Sequence, residues 1–329
     1  MHKQLKGIYG PFIKEFINFK RSVGFKFNTE EKVLNLFDIF TVERKESIVG
    51  ITRELSEAWC NSNLNDSDLY RHKKVSCLNQ LSGFLNHYGI SSYIAQLPVA
   101  KYNFTPYIFS REEMAKLFQA CDDLESQIKV LDSVIMIVPA LIRVLYGTGL
   151  RISEALSMLD QDVNTDEGYI RIRVENSKNG RERNIPLSKS LGLICDEYRN
   201  NRNRLPIKIP KDTPFFTSLN GSICKYDTIT KWFKKVVCSA GIKQDSHGPT
   251  LHSLRHSFSV HSLSKMVESG IDLYCALPIL STFLGHQSLE ATNAYVRLTA
   301  EMFPGLIHDI DMQCLNVFPN YKNQNDDKY

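Results

Sequence analysis

Apolar residues Phe12, Ile13, Phe16 and Ile17 recur at helical spacing within residues 9–22, with Lys14 and Lys20 off that face. Val33, Leu34, Phe37 and Phe40 repeat the pattern, and Asn28 and Glu31 ahead of them have capping-box spacing. A third helix is expected to start near Thr52, and a fourth to run from Ser67 to Tyr88 and stop at Gly89. Residues 91–106 contain Pro98 and Pro106 and lack periodicity, the mark of a linker. The pattern therefore predicts a compact helical domain over 1–92, a linker over 93–106 and a second domain over 107–318.

The second domain opens on a capping box from Ser110 to Glu113. An apolar helix is expected from about Gln127, bent or broken near Pro139. The glycines of Gly147-Thr148-Gly149-Leu150-Arg151 let the backbone turn and let the next helix start close to a ligand. In residues 168–174, Ile170, Ile172 and Val174 alternate with Arg171 and Arg173, which reads as a half-buried strand. Ser177-Lys178-Asn179-Gly180 separates it from a second strand over 183–187, and Asn-Gly between two strands signals a hairpin. Residues 188–203 and 227–240 read as helices, and 204–213 as a loop. Met302, Phe303, Leu306, Ile307 and Ile310 form an apolar stripe in a helix expected over 299–318, followed by a disordered tail over 319–329. The predicted fold class is mainly α with a small antiparallel β-sheet.

Charge changes this picture modestly. The formal net charge of +4 is uneven: residues 1–106 hold 14 Lys+Arg against 10 Asp+Glu, whereas residues 107–318 hold 24 of each. Excess positive charge in the first domain points to nucleic acid there. Arg71, His72, Lys73 and Lys74 lie on the fourth helix, and Arg71, Lys73 and Lys74 are candidate phosphate contacts; a solvated helical face is the competing reading. The eight cysteines include no C-x-x-C pair, which argues against a zinc ribbon and a secreted disulfide scaffold. Residues 1–10 lack the apolar core of a signal peptide. The apolar run 133–142 is too short to span a bilayer, so no membrane role is expected and the protein reads as cytosolic.

Candidate chemistry concentrates between Gly248 and Arg297. His252 and Arg255, spaced i, i+3, face the same side of a helix. His286 follows Leu284-Gly285, a plausible helix end, and Ser288 can cap a further helix that carries Tyr295. Arg151 and Glu154 are one turn apart. Taken singly, Tyr295 would be a packing residue, His286 a turn histidine and Arg151 a surface residue. Together they place cations and a phenol around a common point where a phosphate could be held.

The H-x-x-R, L-G-H and Tyr order, with GTGLRISEAL (147–156) upstream, resembles the tyrosine recombinase (phage integrase) family. The resemblance implies a SAM-like helical core-binding domain and a mixed α/β catalytic domain, as in two-domain members. It implies site-specific cleavage and rejoining of DNA through a 3′-phosphotyrosyl ester on Tyr295, with strand exchange via a Holliday junction. Arg151, Arg255, His252 and His286 would hold the phosphate, Lys178 on the hairpin would protonate the leaving 5′ oxygen, and Glu154 would orient a neighbour. The usual lysine hairpin is Gly-Lys-Gly, and this chain has Ser-Lys-Asn-Gly, so Arg181 and Arg183 remain alternatives, read as DNA-backbone or solvent contacts. His256 and His261 are read as structural. Implied partners are double-stranded DNA with paired inverted half-sites, three further copies in a homotetramer, and accessory or partner recombinases, with no cofactor and no metal. The segment 271–284 is a few residues longer than usual in the family, which resembles recombinases of mobile genetic elements. The rival readings are a type IB-like topoisomerase and an inactive DNA-binding accessory protein.

Overall fold

The computed structural model describes residues 5–99, 105–126, 133–178, 180–204, 212–218, 222–244, 248–285 and 290–303. The chain divides into two compact units, Met1–Phe104 and Thr105–Tyr329.

The first unit holds four helices: α1 (Gly10–Ser22), α2 (Asn28–Glu43), α3 (Arg53–Cys60) and α4 (Asp68–His87). Their apolar stripes meet in one core that includes Ile13, Phe16, Leu34, Phe37, Trp59, Leu81 and Leu85. Each fully buried side chain of this size stabilises the fold by about 1.5–3 kcal/mol. Thr52 and Ser67 cap α3 and α4, accepting hydrogen bonds from Leu55 N at 3.1 Å and Tyr70 N at 3.2 Å. The expected Asn28–Glu31 capping box does not form. Asn28 already lies inside α2, behind Phe27 in a left-handed conformation, and the Arg21 guanidinium bridges Asn28 Oδ1 and Glu31 Oε2 instead.

The expected linker begins later than its prolines suggest. Ser92 exchanges hydrogen bonds with Asn86, Ala95 with the Asn79 amide, and Tyr93 N donates to the Ile51 carbonyl. Residues 92–95 are thereby tied to the helical unit, because side-chain amides satisfy a backbone that has no strand partner.

The second unit comprises α5 (Arg111–Ser126), α6 (Ser133–Thr148), α7 (Ile152–Ser157), strands β1 (Val163–Asn164), β2 (Tyr169–Ile172) and β3 (Arg183–Pro186), then α8 (Lys189–Asn203), α9 (Tyr226–Ser239), α10 (Leu251–Glu268), α11 (Leu273–Leu284) and α12 (Glu290–Met302). The Ser110–Glu113 capping box forms in both directions, at 2.8 and 3.1 Å. Helix α6 continues through Pro139 rather than breaking there. Most of its turns after the proline are buried, including Leu141, Ile142, Val144 and Leu145, and packing outweighs the missing backbone donor.

The three strands form an antiparallel sheet in the order β1-β2-β3, with Ile170 opposite Ile185 and Ile172 opposite Arg183. The fold is mainly α with a small antiparallel sheet, as the sequence pattern predicts. The hairpin is wider than an Asn-Gly turn would give, since residues 173–182 all lie between the strands. Arg173 turns inward to the buried Asp162 at 2.8 and 3.0 Å, and Val174 is consequently left exposed. Helix α10 packs against α6, α11 and α12 and so holds the centre of the unit.

Candidate active site

Helix α10 is organised by its first two turns. At its start the Thr250 N–H donates to Ser253 Oγ at 3.0 Å. Spacings of three and four residues put His252, Arg255, His256 and Ser259 on one face of the helix, while Leu254, Val260 and Leu263 are buried. Arg255 is 2 % exposed. It donates to the Gly149 carbonyl at 2.6 Å and to the Leu284 carbonyl at 2.9 Å. Two carbonyls at the ends of α6 and α11 therefore fix the guanidinium plane. Gly149 has φ +60°, and an added Cβ would collide with the Phe258 ring and approach Leu284 Cδ2 to 3.0 Å. Glycine is required there by both conformation and space.

Arg151 sits at the N-cap of α7. Its backbone N–H donates to Glu154 Oε2 at 3.0 Å and its Nη1 to Glu154 Oε1 at 2.9 Å. Arg183 Nη2 donates to the same Glu154 Oε2 at 2.9 Å. Glu154 is fully buried. Burial pushes its carboxyl up, but the bonds and charges of Arg183 and Arg151 outweigh this and hold it below the usual glutamate value. Arg183, expected at DNA backbone or solvent, is partly buried here and ion-paired to Glu154. It positions Glu154 and lies 3.0 Å from where a Cβ on Gly285 would stand.

Tyr295 lies in the second turn of α12 and is 5 % exposed. Burial raises its phenol above the ordinary value, against the lowering effect of Arg255 and of hydrogen bonds with Ser259 and Arg255. His256 Nδ1 lies 3.0 Å from the Tyr295 hydroxyl. The His252 and His256 rings meet edge to face, 4.5 Å between centroids. His256, read from the sequence as structural, thus touches the phenol directly. The available signal was its i, i+4 spacing from His252, which puts both rings on one helix face.

His252 is exposed. Desolvation by its neighbours, then the charges of Arg255, Arg151 and Lys178, lower its pKa to about 4. The imidazole is therefore neutral at pH 7. Arg255 is likewise pulled down to about 10, by burial first and by Arg151 second, and stays cationic. Lys178 is exposed on the β2–β3 connection. Asn176 Nδ2 anchors the base of that connection to the Ser157 carbonyl at 3.1 Å. His286 lies outside the described residues, as do Ser288 and the stripe residues Leu306, Ile307 and Ile310.

The basic run on α4 is not one surface. Lys74 is 2 % exposed, with its ammonium on Asp66 at 2.9 Å, on Ser62 at 2.7 Å and over the Trp59 ring at 4.3 Å. This corrects its assignment as a DNA contact: an amine that satisfied and buried is part of the core. Arg71 donates to the Leu64 carbonyl at 3.0 Å, and Lys73 lies 3.4 Å from Glu30. Arg181 is exposed. Among the described residues, no three His, Cys, Asp or Glu side chains are grouped to hold a metal ion. No helix among them is long and apolar enough to cross a membrane.

Residues 108–302 match the model of the phage integrase family. That stretch is more than half of the 329-residue chain, and the chain belongs to this family of tyrosine recombinases. It is 26% identical over 298 residues to y4rB of Sinorhizobium fredii, a protein named as a candidate integrase/recombinase, covering 88% of this chain and 93% of that one. It is 32% identical over 200 residues to tyrosine recombinase XerA of Pyrococcus furiosus, covering 60% of this chain and 59% of that protein. In fold it is similar to the XerH site-specific recombinase bound to palindromic difH substrate, with TM-score 0.63 and 20% identity, over 84% of this chain and 77% of that one. It is also similar to the lambda integrase tetramer bound to a Holliday junction, with TM-score 0.61 and 18% identity, over 87% and 76%.

Proposed function

We propose that this protein is a site-specific DNA recombinase that cleaves and rejoins strands through a 3′-phosphotyrosyl intermediate on Tyr295. The observation that carries the reading is the buried Tyr295 hydroxyl, set within the reach of the fixed Arg255 guanidinium and the Arg151 charge. A phenol with a pKa above 10 is a weak nucleophile, so attack on a phosphodiester needs its charge neutralised and both proton transfers assisted. Guanidinium groups match phosphate oxygens and stabilise the charge that builds in the transition state. Arg151, Arg255 and the neutral His252 would hold the scissile phosphate, a task the family resemblance also gives to His286. Lys178 would protonate the departing 5′ oxygen. Glu154 and Arg183 would hold Arg151 in place. The tyrosyl ester retains the bond energy of the broken link, so a 5′ hydroxyl from another strand can reverse the step.

The substrate in this reading is double-stranded DNA with paired inverted half-sites, exchanged through a Holliday junction by a homotetramer in the cytosol, with or without accessory recombinases. Arg71, Lys73 and Arg181 would contact its backbone. The test uses a nicked duplex oligonucleotide carrying the sequence that flanks the gene, a design that traps the covalent adduct. Wild-type protein should form the adduct, and Tyr295→Phe should bind equally well and form none. An adduct with Tyr295→Phe would overturn the assignment.

A further inference from the structure

We infer that His256 is the general base that takes the phenolic proton from Tyr295, an assignment that rests on the recombinase reading above. Among the described residues, His256 Nδ1 lies 3.0 Å from the Tyr295 hydroxyl, and the side chains of Arg255 and Ser259 also hydrogen-bond to it. A guanidinium only donates hydrogen bonds. The Ser259 hydroxyl already donates to the Arg255 carbonyl at 2.9 Å. Of the three, imidazole is the one whose basicity suits proton acceptance near neutral pH. His252, one turn earlier, is held neutral by desolvation and by the cations around it, and it is exposed to the solvent from which a phosphate would arrive. The two histidines on one face of α10 thus divide the work: His252 meets the phosphate and His256 meets the nucleophile.

The step balances as follows. The Tyr295 O–H bond breaks and its proton moves to His256 Nδ1, with Nε2 keeping the other proton. The phenolate oxygen forms a bond to phosphorus, the P–O5′ bond breaks, and the 5′ oxygen takes a proton from Lys178. When a 5′ hydroxyl attacks the ester, its proton goes to the neutral Lys178 amine, the bond from phosphorus to the phenolic oxygen breaks, and His256 returns its proton to the leaving phenolate. The positive charge created on His256 appears beside Arg255. The phosphate supplies the opposing negative charge, which ties activation of the nucleophile to the arrival of DNA.

The test compares wild-type, His256→Asn and His256→Ala on the same nicked duplex. Asparagine presents a polar atom close to the place of Nδ1, so it keeps a hydrogen bond to the phenol but cannot carry the proton. Thermal melting and duplex binding should match wild-type. Adduct formation by both variants should be about 10²–10⁴-fold slower. The wild-type rate should rise with pH as His256 loses its proton; that rise should be absent in both variants, and added imidazole should partly restore His256→Ala. Cleavage by His256→Asn within about threefold of wild-type would overturn the proposal. So would slow cleavage with an unchanged pH profile and no imidazole rescue, which would make His256 a positioning residue. If wild-type forms no adduct, the recombinase reading fails with it, whereas an active wild-type beside undiminished variants defeats this inference alone.

Discussion

Arg183 on β3 and Glu154 on α7 lie 2.9 Å apart, and Glu154 takes Arg151 at the same distance from its other carboxylate oxygen. A fully buried carboxylate thus joins the sheet to the turn that presents Arg151. Breaking a buried pair by removing one partner typically costs about 3–5 kcal/mol, because the other charge stays behind. Glu154→Ala should destabilise the second unit by that order in chemical denaturation and slow cleavage by releasing Arg151. The carboxyl is held below its ordinary value in the folded state. Its contribution is therefore present above the ordinary glutamate range and lost as pH falls through the folded value. The wild-type stability curve should fall on acidification through that window, and Glu154→Gln should lack that part of the fall.

Lys74 should behave as a core residue. Lys74→Ala leaves Asp66 (7 % exposed) with an uncompensated charge, and should destabilise the helical unit by about 3–5 kcal/mol in urea. Replacing Lys74 and Asp66 together by Met and Leu should recover most of that loss, since apolar packing can replace a buried pair at little cost. A Lys74→Ala protein of unchanged stability and weaker duplex binding would contradict this account.

The outline of the helical unit was legible because its signals are local. Apolar spacing marks α1 to α4, and Thr52 and Ser67 cap helices where their chemistry places them. The burial of Lys74 is not legible in the run itself, because its partners Trp59, Ser62 and Asp66 lie on α3 and in the connection before α4, and a basic run looks the same whether it faces water or a core. The capping box at Asn28 failed for a related reason: Arg21 on the preceding helix competes for both of its side chains. In the second unit, the motif spacing located Arg151, Arg255 and Tyr295, which the fold brings together. The roles of Arg183 and His256 depend on which side chains meet across α7, α10 and α12, and spacing alone does not say that.

His252 should stay neutral through the physiological range in the free protein. Its folded pKa of about 4 lies below the ordinary histidine value, so its protonation disfavours the fold and this contribution to stability is lost as pH falls from the ordinary value toward the folded one. In nitrogen NMR spectra its ring should show no titration between about pH 5 and 8. Adding duplex DNA should raise the pKa by placing a phosphate anion against it. A ring that titrates near 6.5 in the free protein would contradict the electrostatic picture of Arg255, Arg151 and Lys178 around it.

Lys178→Ala should slow cleavage of an ordinary duplex by about 10²–10⁴-fold, the usual range for loss of a general acid. A 5′-bridging phosphorothiolate carries a thiol leaving group that needs little protonation. On that substrate the variant should cleave close to the wild-type rate. Equal impairment on both substrates would move the acid role to another group, with Arg181 on the same hairpin connection the next candidate.

The central claim is that Tyr295 becomes esterified to DNA. Its most direct test is mass spectrometry of the adduct formed on the nicked duplex, after nuclease and protease digestion. The account predicts a peptide containing Tyr295 that carries a nucleotide joined through its 3′ phosphate to the phenolic oxygen. A nucleotide on any other residue, or a 5′ linkage on Tyr295, would contradict it.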